Sequence, residues 1–183
     1  MQRYLPFSAF LNRYFDGKIQ KITIDAGFSC PNRDGSISSG GCIYCNNRSF
    51  SPGFTAEKRD IARQMEEGKR FFMRKYPEMK YLAYFQSFTN TYAPVSRLKQ
   101  LYEEALDVDD VVGLVIGTRP DCVSDELLRY LAELRRRHFV MMEYGVESTD
   151  DTVLRRINRG HDYACAVEAV RRTAAAGLPV GIH

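Results

Sequence analysis

The sequence predicts an α/β protein, a partial (β/α) barrel whose parallel strands alternate with helices and which is truncated after the start of a fifth strand. Three observations predict it. Apolar segments of strand character and segments of helical period alternate in the order βαβαβαβαβ, which implies a parallel sheet with right-handed crossovers. Val111 to Ile116 is a continuous apolar run, as in a strand covered on both faces. The last apolar segment, Leu178 to His183, begins a strand with no helix to cover it, so residues 1–183 read as the amino-terminal portion of one larger domain.

Each element has its own signal. Lys21 to Ile24 alternates as a short strand running out at Gly27. Thr55 to Tyr76 has Ile61, Met65, Phe72 and Met73 at helical spacing, with Thr55 as the expected cap. Tyr81 to Ser87 is an aromatic-rich strand. Pro94 opens a helix with Leu98, Leu101, Tyr102 and Ala105 on one face. Ser124, followed by Asp125 and Glu126, starts a helix that runs out in Arg135, Arg136 and Arg137, charges that suit the two ends of a helix dipole. Phe139 to Val146 is the fourth strand. Thr149, Asp150 and Asp151 start a helix, and Ala164 to Ala176 form a longer one closed by Gly177.

Composition excludes several classes. With 44% hydrophobic and 27% charged residues, the 183-residue chain is neither disordered nor fibrous. Its formal charge of +3 neither demands nucleic acid nor excludes it. The longest strongly apolar run, Val111 to Gly117, is too short to span a bilayer. Arg3, Arg13, Asp16 and Lys18 interrupt the first twenty residues, which carry no signal-peptide pattern, so a cytoplasmic protein without a membrane partner is expected.

In sheets of this wiring, sites gather at the carboxyl ends of the strands. That rule selects the loops Phe28 to Gly53, Phe88 to Ala93, Gly117 to Cys122 and Glu147 to Thr149. The first holds three of the five cysteines, Cys30, Cys42 and Cys45, spaced C-x11-C-x2-C. An odd cysteine count in a chain long enough to build a core argues against a disulfide framework and for metal ligands. The two-residue gap lets Cys42 and Cys45 turn toward one centre, while Gly35, Gly40 and Gly41 let backbone N–H groups point inward. A structural zinc site is closed by four ligands, and this loop offers three; an iron–sulfur cluster held by three thiolates keeps one iron open for a small molecule.

The motif Cys30…Cys42-x-x-Cys45 after the first strand of a βα series resembles the radical S-adenosyl-L-methionine (SAM) superfamily. Its long first interval is similar to that of the Elongator catalytic-subunit branch. The words Gly27-Phe28-Ser29-Cys30-Pro31-Asn32-Arg33-Asp34-Gly35, Tyr84-Phe85-Gln86-Ser87, Gly117-Thr118-Arg119-Pro120-Asp121 and Asn158-Arg159-Gly160-His161 resemble the YhcC/YtqA-like bacterial family, over its amino-terminal part.

The resemblance implies a barrel of the radical SAM type in which Cys30, Cys42 and Cys45 hold a 4Fe-4S cluster and SAM takes the open iron. The reduced cluster then cleaves SAM to methionine and a 5′-deoxyadenosyl radical that abstracts a substrate hydrogen. A small electron-donor protein of the flavodoxin or ferredoxin type is the implied partner. Tyr44 falls at the family's aromatic position beside the cluster or adenine. Gln86 and Ser87 replace the glycine-rich turn that binds the SAM amino group through backbone oxygens. Gly117 stands where relatives often carry an acid, so that contact either passes to Thr118 or is lost. Glu147 matches a position facing the ribose hydroxyls, and Arg159 one that pairs with the SAM carboxylate. His161 reads as packing or capping, and Arg119 is equally compatible with a surface cation. By period two Glu143, Gly145 and Glu147 share a strand face, so Glu143 needs a buried partner, for which an arginine is expected. Relatives modify tRNA wobble uridines or oxidise porphyrin precursors; resemblance in cysteine spacing to the Elongator-like branch points to tRNA wobble-uridine modification, with Arg155, Arg156, Arg171 and Arg172 as candidate phosphate contacts or a solvated helix face. The rival readings are a zinc-binding nucleic-acid module, which would not need the βα series, and an inactive scaffold.

Overall fold

The computed structural model describes residues 6–46, 60–74 and 78–183. Five strands, β1 (Ile19–Ile24), β2 (Lys80–Phe85), β3 (Val111–Thr118), β4 (Phe139–Tyr144) and β5 (Val180–Ile182), form one sheet in the order β1-β2-β3-β4-β5. Every pairing is parallel. Sequential order without a reversal is the wiring of a (β/α) barrel and not of a doubly wound sheet, which changes direction at a switch point. The architecture is the predicted partial barrel, with the chain running into its fifth strand.

The helices are α1 (Phe7–Leu11), α2 (Ile61–Met73), α3 (Val95–Leu106), α4 (Asp125–Leu134), α5 (Asp151–Arg156) and α6 (Tyr163–Ala175), with a 3-10 turn at Pro120–Cys122. Ser124 caps α4 by accepting from the Leu127 N–H at 3.1 Å, as its position predicts. Asp150 caps α5 and Asp162 caps α6 in the same way. The cap of α2 differs from expectation. The helix begins at Ile61, and Asp60 accepts from the Arg63 N–H; Thr55 and Tyr76 lie outside the described residues. None of the described helices is long and apolar enough to cross a membrane.

The two faces of the sheet pack differently. Ile22, Ile24, Ala83, Phe85, Leu114, Ile116, Val140 and Met142 meet Met65, Leu98, Tyr102, Leu127 and Leu131 from the helices in the main core. Leu82, Tyr84, Val115, Phe139 and Met141 form a smaller cluster with Leu11 on the opposite, inner face. Phe10, Tyr14 and Phe15 surround the Phe139 ring at 5.0–6.4 Å between centroids. Because Phe139 is the first residue of β4, α1 and the turn after it plug the amino-terminal end of the inner face. Neighbouring strands come close at Gly113, where a Cβ would lie 2.1 Å from the Phe139 carbonyl oxygen. The aromatic cluster therefore covers the amino-terminal end of the inner face, and the predicted loops gather at the other end.

Candidate functional site

The long loop after β1 is shaped by its own backbone. The N–H groups of Arg33 and Asp34 donate to the Cys30 carbonyl at 2.8 and 3.1 Å, and Gly41 donates to the Asn32 carbonyl at 2.8 Å. The Cys45 N–H donates to the Cys42 carbonyl at 3.0 Å, closing the two-residue turn. Positive φ at Gly35, Gly40 and Gly41 gives the chain its reversals. Cys30, Cys42 and Cys45, all free thiols, line one cavity of about 320 Å³ at the carboxyl ends of the strands. Gln86, Thr118, Gly145, Glu147 and Arg159 line it as well.

The donor set fits an iron–sulfur cluster. Three thiols face one space, and two N–H donors reach a sulfur: Asn32 Nδ2 lies 3.4 Å and Arg159 Nη1 3.6 Å from Cys42 Sγ. Among the described residues no three His, Cys, Asp or Glu side chains are gathered tightly enough for a single metal ion. A four-iron cluster is a larger object than one ion, and its thiolates stand correspondingly further apart. Cys122 and Cys165 stand outside the cavity lining. Burial pushes the Cys122 thiol up to about 12, with Asp121 adding to it, so this sulfur stays protonated.

The Asn158-Arg159-Gly160-His161 segment locks onto the cysteine loop. Asn158, at φ +54°, donates through Nδ2 to the Gly41 carbonyl at 2.9 Å and to Ser38 Oγ at 3.1 Å. The Ile43 N–H donates to the Ile157 carbonyl at 3.1 Å. Gly160 passes so close to Asn32 that a Cβ would fall 2.8 Å from its Oδ1. Arg159 is thereby carried into the cavity. It is 7% exposed, Nη2 donates to the Gly145 carbonyl, and Nε is buried without a partner. No carboxylate among the described residues pairs with it, which leaves a buried guanidinium held by Cys42 Sγ and the Gly145 carbonyl without an anionic partner.

The other SAM candidates divide. Glu147 is exposed at the rim and held at φ +70°, with its N–H donating to the His183 carbonyl at 2.9 Å. That left-handed backbone is uncommon for a side-chain-bearing residue and concentrates at functional sites. Gln86 lines the cavity, whereas Ser87 is buried and outside its lining. Thr118 lines it too, but its hydroxyl is 2.6 Å from Thr91 Oγ1, which itself donates to the Cys122 carbonyl. Thr118 therefore donates to Thr91 and keeps only acceptor capacity for a ligand. Tyr44 stands half-exposed in the lining, its phenol pushed upward by burial and, more weakly, by Cys42 and Glu147, against the pull of Arg159.

Two partner expectations need correction. Glu143 does face the inner side, but its partners are Lys21 Nζ at 3.0 Å and His183 Nε2 at 3.0 Å, not an arginine. Parallel pairing brings these residues together from β1, β4 and the end of β5. Burial opposes the charge on Glu143, yet the bonds from His183, Tyr84 and Lys21 outweigh it and hold the carboxyl at about 2. Arg119 is no surface cation: it is 2% exposed, grips Asp121 with two N–H groups at 2.7 and 2.8 Å, and donates to the Arg159 carbonyl at 2.8 Å. Of the four helix arginines, Arg171 pairs with Glu168 and Arg172 with Asp125, while Arg155 and Arg156 are exposed at the end of α5.

Sequence reasoning missed Asn32, Thr89 and Tyr84. Thr89 adds a buried hydroxyl without a partner to the cavity lining, and its position in the Phe88–Ala93 loop was the signal available. Tyr84 alternates onto the inner face of β2, and period two could have found it.

Residues 33–183 match the family described as the Radical SAM superfamily. YtqA of Bacillus subtilis is 39% identical over 182 residues, covering all of this chain and 56% of YtqA. YhcC of Escherichia coli is 41% identical over 178 residues, covering 97% of this chain and 56% of YhcC. The chain thus spans about half the length of these curated relatives. Among solved structures, anSMEcpe with bound AdoMet and a peptide superposes with a TM-score of 0.56 at 12% identity, over 91% of this chain and 42% of that one. The cobalamin-dependent S-adenosylmethionine radical enzyme OxsB superposes with a TM-score of 0.54 at 16% identity, over 87% of this chain and 23% of that one. These two likenesses are of fold.

Proposed function

The chain belongs to the radical SAM superfamily, and on that premise we propose that it forms the cofactor half of a radical SAM enzyme, with Cys30, Cys42 and Cys45 holding a 4Fe-4S cluster. The observation that carries this reading is the shared cavity, which brings the three thiols together with an anion-seeking guanidinium at Arg159 and a rim carboxylate at Glu147. When bound, a 4Fe-4S cluster held by Cys30, Cys42 and Cys45 would supply one-electron reduction, and SAM would supply the radical chemistry toward a substrate.

The residues of the chain have distinct tasks. Arg159 receives the SAM carboxylate: it lines the cavity with no carboxylate of the described residues against it, and its anchor on the Gly145 carbonyl fixes the plane of the guanidinium. Glu147 accepts from the ribose hydroxyls, for which an ionised carboxylate has lone pairs to spare. The backbone at Gln86 and the hydroxyl of Thr89 offer acceptors for the SAM amino group. Tyr44 covers one side of the space. The aromatic cluster of Phe10, Phe15 and Phe139 covers the lower end of the inner face with apolar surface.

For the whole protein we propose an RNA substrate, a tRNA uridine, with a flavodoxin- or ferredoxin-type protein as reductant. The long Cys30-to-Cys42 interval shared with the Elongator-like branch supports it, as do the exposed Arg155 and Arg156 at the end of α5, where Ile157 accepts from the Ile43 N–H of the cysteine loop. The cofactor reading is tested by incubating anaerobically reconstituted protein with SAM and dithionite. Methionine and 5′-deoxyadenosine are the expected products; intact SAM beside a fully loaded cluster refutes cleavage and favours the scaffold reading. The RNA reading is tested by nucleoside mass spectrometry of a gene-deletion strain. It predicts loss or change of one modified wobble uridine, and an unchanged profile contradicts it.

A further inference from the structure

Asn32 is a buried polar residue in the middle of the cysteine loop, with no part in the SAM contacts above. It is 0% exposed. Its Nδ2 faces the Asn158 carbonyl and Cys42 Sγ, the latter at 3.4 Å, and its Oδ1 accepts from Ser38 Oγ at 3.1 Å. This network fixes the amide orientation. A backbone carbonyl can only accept, so the nitrogen and not the oxygen must face Asn158, and its second hydrogen is left for the sulfur. Asn158 is itself tied to Gly41 and Ser38, so the donor cannot swing away without breaking the bracket between the two loops. A second donor, Arg159 Nη1, approaches the same sulfur at 3.6 Å. No side-chain donor to the sulfur of Cys30 or Cys45 is found among the described residues; the Arg33 guanidinium goes instead to the Cys45 carbonyl at 2.9 Å.

We infer that Asn32 is a potential-setting residue, which together with Arg159 makes Cys42 a ligand through which the protein tunes its cluster. The inference rests on the cluster reading above. One-electron reduction places an additional negative charge on the cluster and its thiolates. N–H donors and a nearby cation stabilise that charge, so they raise the reduction potential. Asn32 contributes a fixed dipole. Arg159 contributes a charge that it shares with the SAM carboxylate, so an occupied SAM site weakens its pull on Cys42.

The test is a redox titration of the reconstituted protein without SAM, poised with titanium(III) citrate and followed by the cluster's visible absorbance and electron paramagnetic resonance. Asn32→Asp keeps the volume and the acceptor for Ser38, removes both donors and adds a negative charge, two changes that act on the potential in the same direction. It should keep its iron and sulfide and titrate at a lower potential than the parent. Ser38→Ala breaks a bond to Asn32 without touching the sulfur and should titrate with the parent. Should Asn32→Asp lose iron, Arg159→Gln in the same titration carries the test, and it too should titrate lower. A variant that retains its iron at the parent potential overturns the inference, as does a Ser38→Ala shift as large as that of Asn32→Asp. A parent chain that assembles no four-iron cluster overturns the cluster reading and the inference with it.

Discussion

Arg159 and Gly145 are fitted to each other: the guanidinium donates to the Gly145 carbonyl, and a Cβ at position 145 would lie 2.7 Å from the same Nη2. The absence of a side chain at 145 is what lets Arg159 lie across the end of β4 and face the cavity. Glu147 uses the same gap, since its Oε1 would lie 2.9 Å from that Cβ.

Gly145→Ala therefore displaces two flexible side-chain ends and no backbone. It should lower SAM affinity about tenfold, roughly 1.4 kcal/mol, with little change in melting temperature. Gly113→Ala is the contrasting case, because its Cβ would meet the Phe139 carbonyl at 2.1 Å and the sheet itself must move. It should destabilise the fold by about 1–3 kcal/mol or more by overpacking. Isothermal titration with SAM and thermal unfolding of both variants separate the two effects.

Arg159→Ala removes a charge-assisted partner, a loss worth roughly 1.5–3 kcal/mol. SAM binding to cluster-loaded protein should weaken about tenfold to a hundredfold. Arg159→Lys should recover only part of this, since an ammonium lacks the fork. Unchanged affinity in the alanine variant assigns Arg159 to holding the cysteine loop alone.

The Glu143 network contributes most to stability in mild acid. The Glu143 carboxyl is held at about 2, below its ordinary 4.5, so its contribution is complete above about 4.5 and is lost as pH falls toward 2. His183 is raised above its ordinary 6.5 by its bond to Glu143, so its contribution is complete below about 6.5 and is lost as pH rises through the raised value. Both are present between about pH 4.5 and 6.5. His183 is half-exposed, so its share is no more than about 1 kcal/mol. His183→Asn should flatten the alkaline side of the stability profile, and Glu143→Gln should flatten both sides, measured by melting temperature against pH.

The parts legible in the sequence were those carried by local pattern. The apolar run from Val111, the Ser124 cap and the Gly177 stop each signal an element within a few residues, and the spacing of Cys42 and Cys45 signals a turn. What was not legible depends on distant partners. Lys21 and Glu143 lie 122 positions apart and meet because β1 and β4 both turn them to the inner face. Asn32 and Asn158 lie 126 apart and meet only when the loops after β1 and β4 fold over one end of the sheet. Arg119 looks solvent-facing beside Pro120 until Asp121 and the Arg159 carbonyl are seen to enclose it. The five-residue helix α1 is too short to show a helical period, so the plug it forms could not be foreseen.

Anaerobic iron and sulfide analysis of the reconstituted protein, beside its cysteine variants, tests the central claim most directly. The parent should hold about four irons and about four sulfides per chain, with the brown absorbance of a thiolate-bound cluster. Cys30→Ala, Cys42→Ala and Cys45→Ala should each abolish it, while Cys122→Ala and Cys165→Ala should leave it intact. One zinc and no sulfide in the parent, or a full cluster after loss of Cys30, Cys42 or Cys45, would contradict the account.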